Sequence, residues 1–191
     1  HVRSRRQRQM CIRDSPYPIS GKITCADDWY HIQVKGTDSE EFAKMAEIIR
    51  GIRKEAGKDV LIFQTMFGPF KAASMTFGDD VLMKYSKEAP EAVAAGVKII
   101  ADALEEWTKG YLEAGADGIY YSAQFGEIGR FEKNEWEELV RPYDLQILKV
   151  AEEMPEKYNI LHICGEPEYQ FETHVELSLI HISEPTRLRR I

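Results

Sequence analysis

A parallel α/β fold is predicted for this chain, on three observations. Short apolar runs alternate with longer stretches whose apolar residues recur at helical spacing, glycines and turn residues separate them, and the helical stretches exceed the runs in length. The composition agrees: 191 residues, 43% hydrophobic, with 32 acidic against 25 basic side chains, 13 Gly and 8 Pro. This is the profile of a globular domain and excludes a collagen, a disordered tail or a disulfide miniprotein. No run approaches the roughly 18 apolar residues of a membrane span, and His1 to Met10 lacks the apolar core of a secretory signal, so the expected location is cytoplasmic. Cys11, Cys25 and Cys164 are too unequally spaced for a disulfide framework.

In chain order, Thr37-Asp38-Ser39-Glu40 has the pattern of a capping box, followed by Phe42, Met45, Ile49 and Ile52 on one helical face and Gly57 as a stop. Val60 to Thr65 is almost wholly apolar, as expected of a strand buried on both faces, and opens into the turn Met66-Phe67-Gly68-Pro69. Short helical pieces are expected around Lys71 to Thr76 and Asp79 to Lys87. The clearest helix runs from Pro90 to Ala114, where Val93, Val97, Ile100, Leu104, Trp107 and Tyr111 recur at steps of four and three. After Gly115, Asp117 to Ser122 reads as a second strand. Another helix begins at Lys133 or Asn134, with a break at Pro142, and Asn159 to Cys164 reads as a third strand.

The termini differ from the middle. His1 to Ser15 holds five arginines and one acid, and the chain ends in Arg187-Leu188-Arg189-Arg190. Basic arms of this kind suggest nucleic-acid binding. However, Arg5 to Ser15 resembles a translation of the transposon-end adapter used to make sequencing libraries, and Leu177 to Arg187 resembles its complementary-strand partner. Residues 1–15 and 177–191 are therefore expected to be non-native tails around a partial domain at 16–176. Setting them aside removes eight basic and two acidic residues from 25 and 32, leaving 17 against 30 and a formal charge of −13. Such an acidic segment is a poor ligand for nucleic acid.

An open doubly wound sheet and a (β/α)8 barrel both fit the alternation, and both place active sites at the carboxyl edge of the strands. Here that edge carries Thr65-Met66, Tyr121-Ser122-Ala123-Gln124 and His162-Ile163-Cys164. Gly126-Glu127-Ile128-Gly129 has neither the spacing nor the position of a phosphate-binding fingerprint. His162-x-Cys164 is the strongest chemical signal, because residues two apart on a strand share a face and imidazole and thiolate are both zinc ligands. The plainer alternative is a buried thiol beside a hydrogen-bonded core histidine. Thr65, Met66, Tyr121 and Gln124 are candidate substrate-binding residues. Glu127 is a further reach from the same loop, Glu166 and His174 are surface residues able to add a ligand, and Cys25 and His31 are expected to hold no metal.

Asp59 to Ala73, Ala114 to Ile119, Arg141-Pro142-Tyr143 and Leu161 to Gly165, in that order, resemble the uroporphyrinogen decarboxylase superfamily. This superfamily includes zinc-dependent methyltransferases that pass a methyl group from a corrinoid protein to a thiol. The resemblance spans Pro16 to Glu176 and implies a (β/α)8 barrel of which this chain is an interior portion, since a complete barrel needs about 250 residues. The methyltransferase branch is the more similar one. It implies zinc held by a His-x-Cys pair, matched by His162 and Cys164, with a second Cys lying beyond Glu176. It also implies a methylcorrinoid donor, a corrinoid protein partner and a small thiol acceptor.

The decarboxylase branch implies a tetrapyrrole substrate and no cofactor. Its aspartate in a Phe-Asp-Ser context corresponds to Tyr121 here, and a substrate of eight carboxylates needs cations where the segment has Arg50, Arg53, Arg130 and Arg141. A non-catalytic corrinoid- or tetrapyrrole-binding module is the third reading. With a ligand missing and an unclosed barrel, the chain as it stands is expected to be inactive.

Overall fold

A computed structural model of the chain describes residues 17–154, 157–163 and 181–183. It opens with an antiparallel pair, β1 (Ile19–Ser20) and β2 (Gln33–Val34), on either side of a 3₁₀ turn at Ala26–His31. Helix α1 (Glu40–Ala56) leads to β3 (Phe63–Phe67), then α2 (Pro69–Phe77), α3 (Asp79–Glu88) and the long α4 (Pro90–Glu113). Strand β4 (Gly118–Ala123) is followed by α5 (Lys133–Leu139), α6 (Arg141–Glu153), β5 (Ile160–Ile163) and β6 (His181–Ser183).

The main sheet is parallel throughout, and its order β3-β4-β5-β6 is the chain order. A doubly wound sheet reverses its strand order at a switch point. Strict succession of parallel strands, each followed by helices, is the winding of a (β/α)8 barrel, and the chain forms part of one.

The core lies between the sheet and the helices. Val93, Val97, Ile100, Leu104, Trp107 and Tyr111 of α4 are each at most 3% exposed, so the helical period read from the sequence is the face that packs. Phe42 of α1 stacks on Tyr111 at 5.0 Å and meets Trp107 edge-on at 5.5 Å. The chain breaks between α5 and α6 at Val140, and Pro142 sits in the first turn of α6, where its missing N–H leaves no helical bond unmade.

Several expectations are corrected. Residues Val60 and Leu61 are not in a strand buried on both faces: they precede β3, are each 53% exposed, and the strand begins at Phe63. On β3 itself, Met66 is buried and Thr65 exposed, because one face packs on helices while the other faces the barrel interior, which these four strands do not enclose. The helix expected from Thr37 is capped instead by Ser39, whose Oγ accepts from the Phe42 N–H at 3.3 Å. Ile52 lies off the packed face and is 47% exposed. β1 and β2 carry no periodic signal in the sequence, since a two-residue strand is too short for one.

Candidate functional site

Residues paired across adjacent parallel strands project to the same side of the sheet. The register therefore sorts every strand residue. Thr65 pairs with Tyr120 and Tyr120 with Ile160; one step toward the carboxyl edge, Phe67 pairs with Ser122 and Ser122 with His162. These side chains form two rows on the interior face. Met66, Ile119, Tyr121, Leu161 and Ile163 alternate with them and face the helices, and each is at most 2% exposed.

His162 is half-buried at the carboxyl edge of β5 and stacks on the Tyr120 ring, with centroids 5.4 Å apart and planes 26° from parallel. The phenol supports one face of the imidazole, and the neighbouring strand sets its height in the barrel. Gln124, just past β4, donates from Nε2 to the Ser122 hydroxyl at 3.4 Å. The interior face thus gathers Thr65, Tyr120, Ser122 and His162, with Gln124 above them. Cys164, Glu166 and His174 lie outside the described residues. Among the described residues no group of three His, Cys, Asp or Glu side chains is placed to hold a metal ion.

The other two candidates point away from this face. Met66 is fully buried behind the sheet, where the Tyr17 hydroxyl approaches its sulfur at 4.0 Å. The same hydroxyl accepts from the Phe67 N–H at 2.8 Å. Tyr121 is also fully buried on the helix side, and its hydroxyl donates to Oδ1 of Asp144 on α6 at 2.7 Å. A Cβ on Gly68 would stand 2.3 Å from that carboxylate oxygen, so the turn leaving β3 packs directly on the pair and requires glycine.

Sequence reasoning missed Tyr120. The alternation that puts His162 on the interior face assigns Tyr120 and Ser122 to it as well, but an aromatic pair on a strand carries no mark of which member faces inward.

At the opposite, amino edge, Arg53 ties the sheet to α1. Its guanidinium donates to the backbone carbonyls of Gly57, Val60 and Gly115 at 2.7 to 3.1 Å and pairs with Asp117, which in turn accepts from the Ile62 N–H. This arginine is a structural latch. No helix among the described residues is long and apolar enough to cross a membrane.

A sequence profile of the uroporphyrinogen decarboxylase (URO-D) family matches residues 12–185. The chain belongs to the URO-D family. The matched span runs into both terminal segments that resemble adapter translation, and β6 lies in the second of them. Among solved structures, this URO-D chain resembles a methyltransferase from Methanosarcina mazei, with a TM-score of 0.58 and 20% identity. The similarity covers 70% of this chain and 43% of that one, so the URO-D chain spans less than half of the methyltransferase it resembles. At that identity the likeness is one of fold. No curated protein matches the sequence.

Proposed function

We propose that the parent of this URO-D chain is a zinc-dependent methyltransferase that passes a methyl group from a methylated corrinoid, carried by a corrinoid protein, to a small thiol. The observation that carries the reading is His162 on the interior face at the carboxyl edge, with Cys164 two residues on in the sequence. The donor set suits the metal: a neutral imidazole and a thiolate are ordinary zinc ligands, and an incomplete protein shell is what a catalytic site presents. When bound, zinc lowers the pKa of a coordinating thiol and so supplies a thiolate nucleophile at neutral pH.

The chain's own residues supply position. The Tyr120 ring supports one face of the imidazole, and Phe67 and Ile160 add apolar side chains to the same side of the sheet. Ser122 and Gln124 offer the hydrogen-bonding groups to orient a small polar substrate. Among the described residues of β3, β4 and β5 the interior rows hold no lysine or arginine, which fits a small thiol better than a tetrapyrrole of eight carboxylates.

The test needs the parent reading frame, recovered by resequencing the locus across both ends. The purified parent is expected to carry about one zinc per chain and to methylate a thiol from methylcobalamin. His162→Ala and Cys164→Ser should each lose the zinc and lower turnover by two orders of magnitude or more, while circular dichroism stays unchanged. A zinc-free parent that decarboxylates uroporphyrinogen would replace this reading with the decarboxylase one.

A further inference from the structure

The register of β4 and β5 fixes more than the side of the sheet on which His162 lies. Ser122 pairs directly with His162, whereas Tyr120, two residues earlier on β4, pairs with Ile160 and is the diagonal neighbour of the histidine. Small side chains do not meet across such an offset, but an aromatic ring spans it. The Tyr120 ring leans toward the carboxyl edge and meets the imidazole with centroids 5.4 Å apart and planes 26° from parallel. Both side chains are half-buried.

The kind of contact matters. A near-parallel stack occupies one face of the imidazole and leaves its rim, where both nitrogens sit, clear of the phenol ring. It therefore opposes rotation of the imidazole about χ2 without covering the atoms that bind a metal. The platform is itself rigid. Strand β4 is paired on both sides, Tyr120 with Thr65 on β3 and with Ile160 on β5, and the flanking Ile119 and Tyr121 are fully buried against the helices. A side chain held on a central strand keeps its geometry better than one on a loop. The face of the ring is also electron-rich, and an imidazole that has given its lone pair to a cation is electron-poor, so the stack favours the ligated form.

We propose that Tyr120 is a positioning residue for His162, and that its ring, rather than its hydroxyl, holds the imidazole in the plane in which it binds a divalent cation. This role rests on the zinc reading of the site and extends it to a residue that no motif in the sequence marks. Loss of an orienting neighbour of a metal-bound histidine costs about 10- to 100-fold in metal affinity, so the effect is read with zinc alone, before any substrate is added.

Zinc affinity of the full-length parent is measured by competition with a chromogenic chelator, and cobalt(II) in place of zinc reports ligand geometry through its visible absorption. Tyr120→Leu should weaken zinc binding about tenfold or more and shift the cobalt bands, and Tyr120→Phe, which keeps the ring, should restore both. Tyr120→Val serves if the leucine variant does not fold. A purely packing role would lower the melting temperature of the metal-free variant and leave its zinc affinity and cobalt spectrum unchanged; that result overturns the positioning role. So does Tyr120→Phe binding as weakly as Tyr120→Leu, which would assign the effect to the hydroxyl. The two readings fail differently. A parent that binds no zinc, or that keeps it in His162→Ala, removes the zinc reading and this role with it, whereas zinc bound through His162 with equal affinity in every Tyr120 variant removes this role alone.

Discussion

Gly118 shows how much one backbone position decides. It starts β4, and a Cβ there would lie 1.4 Å from the carbonyl oxygen of Tyr158, whose N–H donates to the Asp117 carbonyl at 2.7 Å. The chain entering β5 therefore crosses directly over the start of β4. Gly118→Ala should destabilise the fold by more than about 3 kcal/mol, since backbone cannot yield as a side chain does. Urea unfolding of the full-length parent, followed by tryptophan fluorescence, measures it, and a loss under about 1 kcal/mol would show that the crossing relaxes. At this scale, little of the chemistry was legible. His162 was singled out from its neighbour two residues on, whereas Tyr121 and Met66 read as pocket residues until the register turned them toward the helices.

Among the elements, the 3₁₀ turn between β1 and β2 makes the sharpest prediction about pH. Asp28 Oδ2 accepts from the Thr24 hydroxyl, the Thr24 N–H and the Cys25 N–H at 2.6 to 2.9 Å. These bonds, the hydroxyl's first, bring its carboxyl from an ordinary 3.8 down to about 2. A depressed folded-state pKa means stability that is present above 3.8 and lost as pH falls from there through about 2. In the full-length parent, Asp28→Asn should flatten the fall of melting temperature over that window and leave its slope unchanged near pH 7. An identical slope in the variant would show the turn contributes nothing to acid unfolding. Helices were the most legible elements, because six apolar residues of α4 at regular steps have no other reading. Strand ends were the least, and the start of β3 fell three residues later than the apolar run, since apolar character alone does not say where a neighbouring strand begins to pair.

The whole molecule is four parallel strands of a barrel with helices on one side. Phe63, Thr65, Phe67, Tyr120, Ile160 and His162 share the other side, and β3 and β6 have no further partner among the described strands. An apolar interior face with two open parallel edges is prone to associate. The 191-residue chain is therefore expected to elute as large assemblies in size-exclusion chromatography and to bind an apolar dye. A monodisperse monomer with one cooperative unfolding transition would contradict the unclosed-barrel account.

By itself the sequence determined the alternation of strands and helices, the packed face of α4, a helix break beside Pro142 and the family whose profile the chain matches. These are local or ordered-in-sequence properties, set by spacing and side-chain type. Tertiary structure decided what spacing cannot carry: that the strands succeed one another without reversal, and that His162 meets Tyr120 while Tyr121 meets Asp144. It also decided that the Arg130 guanidinium lies over the Phe125 ring between Glu127 and Asp79. The reason is the period of two in a strand, where a shift of one residue exchanges interior for helix side, and pairing across the sheet alone fixes that choice.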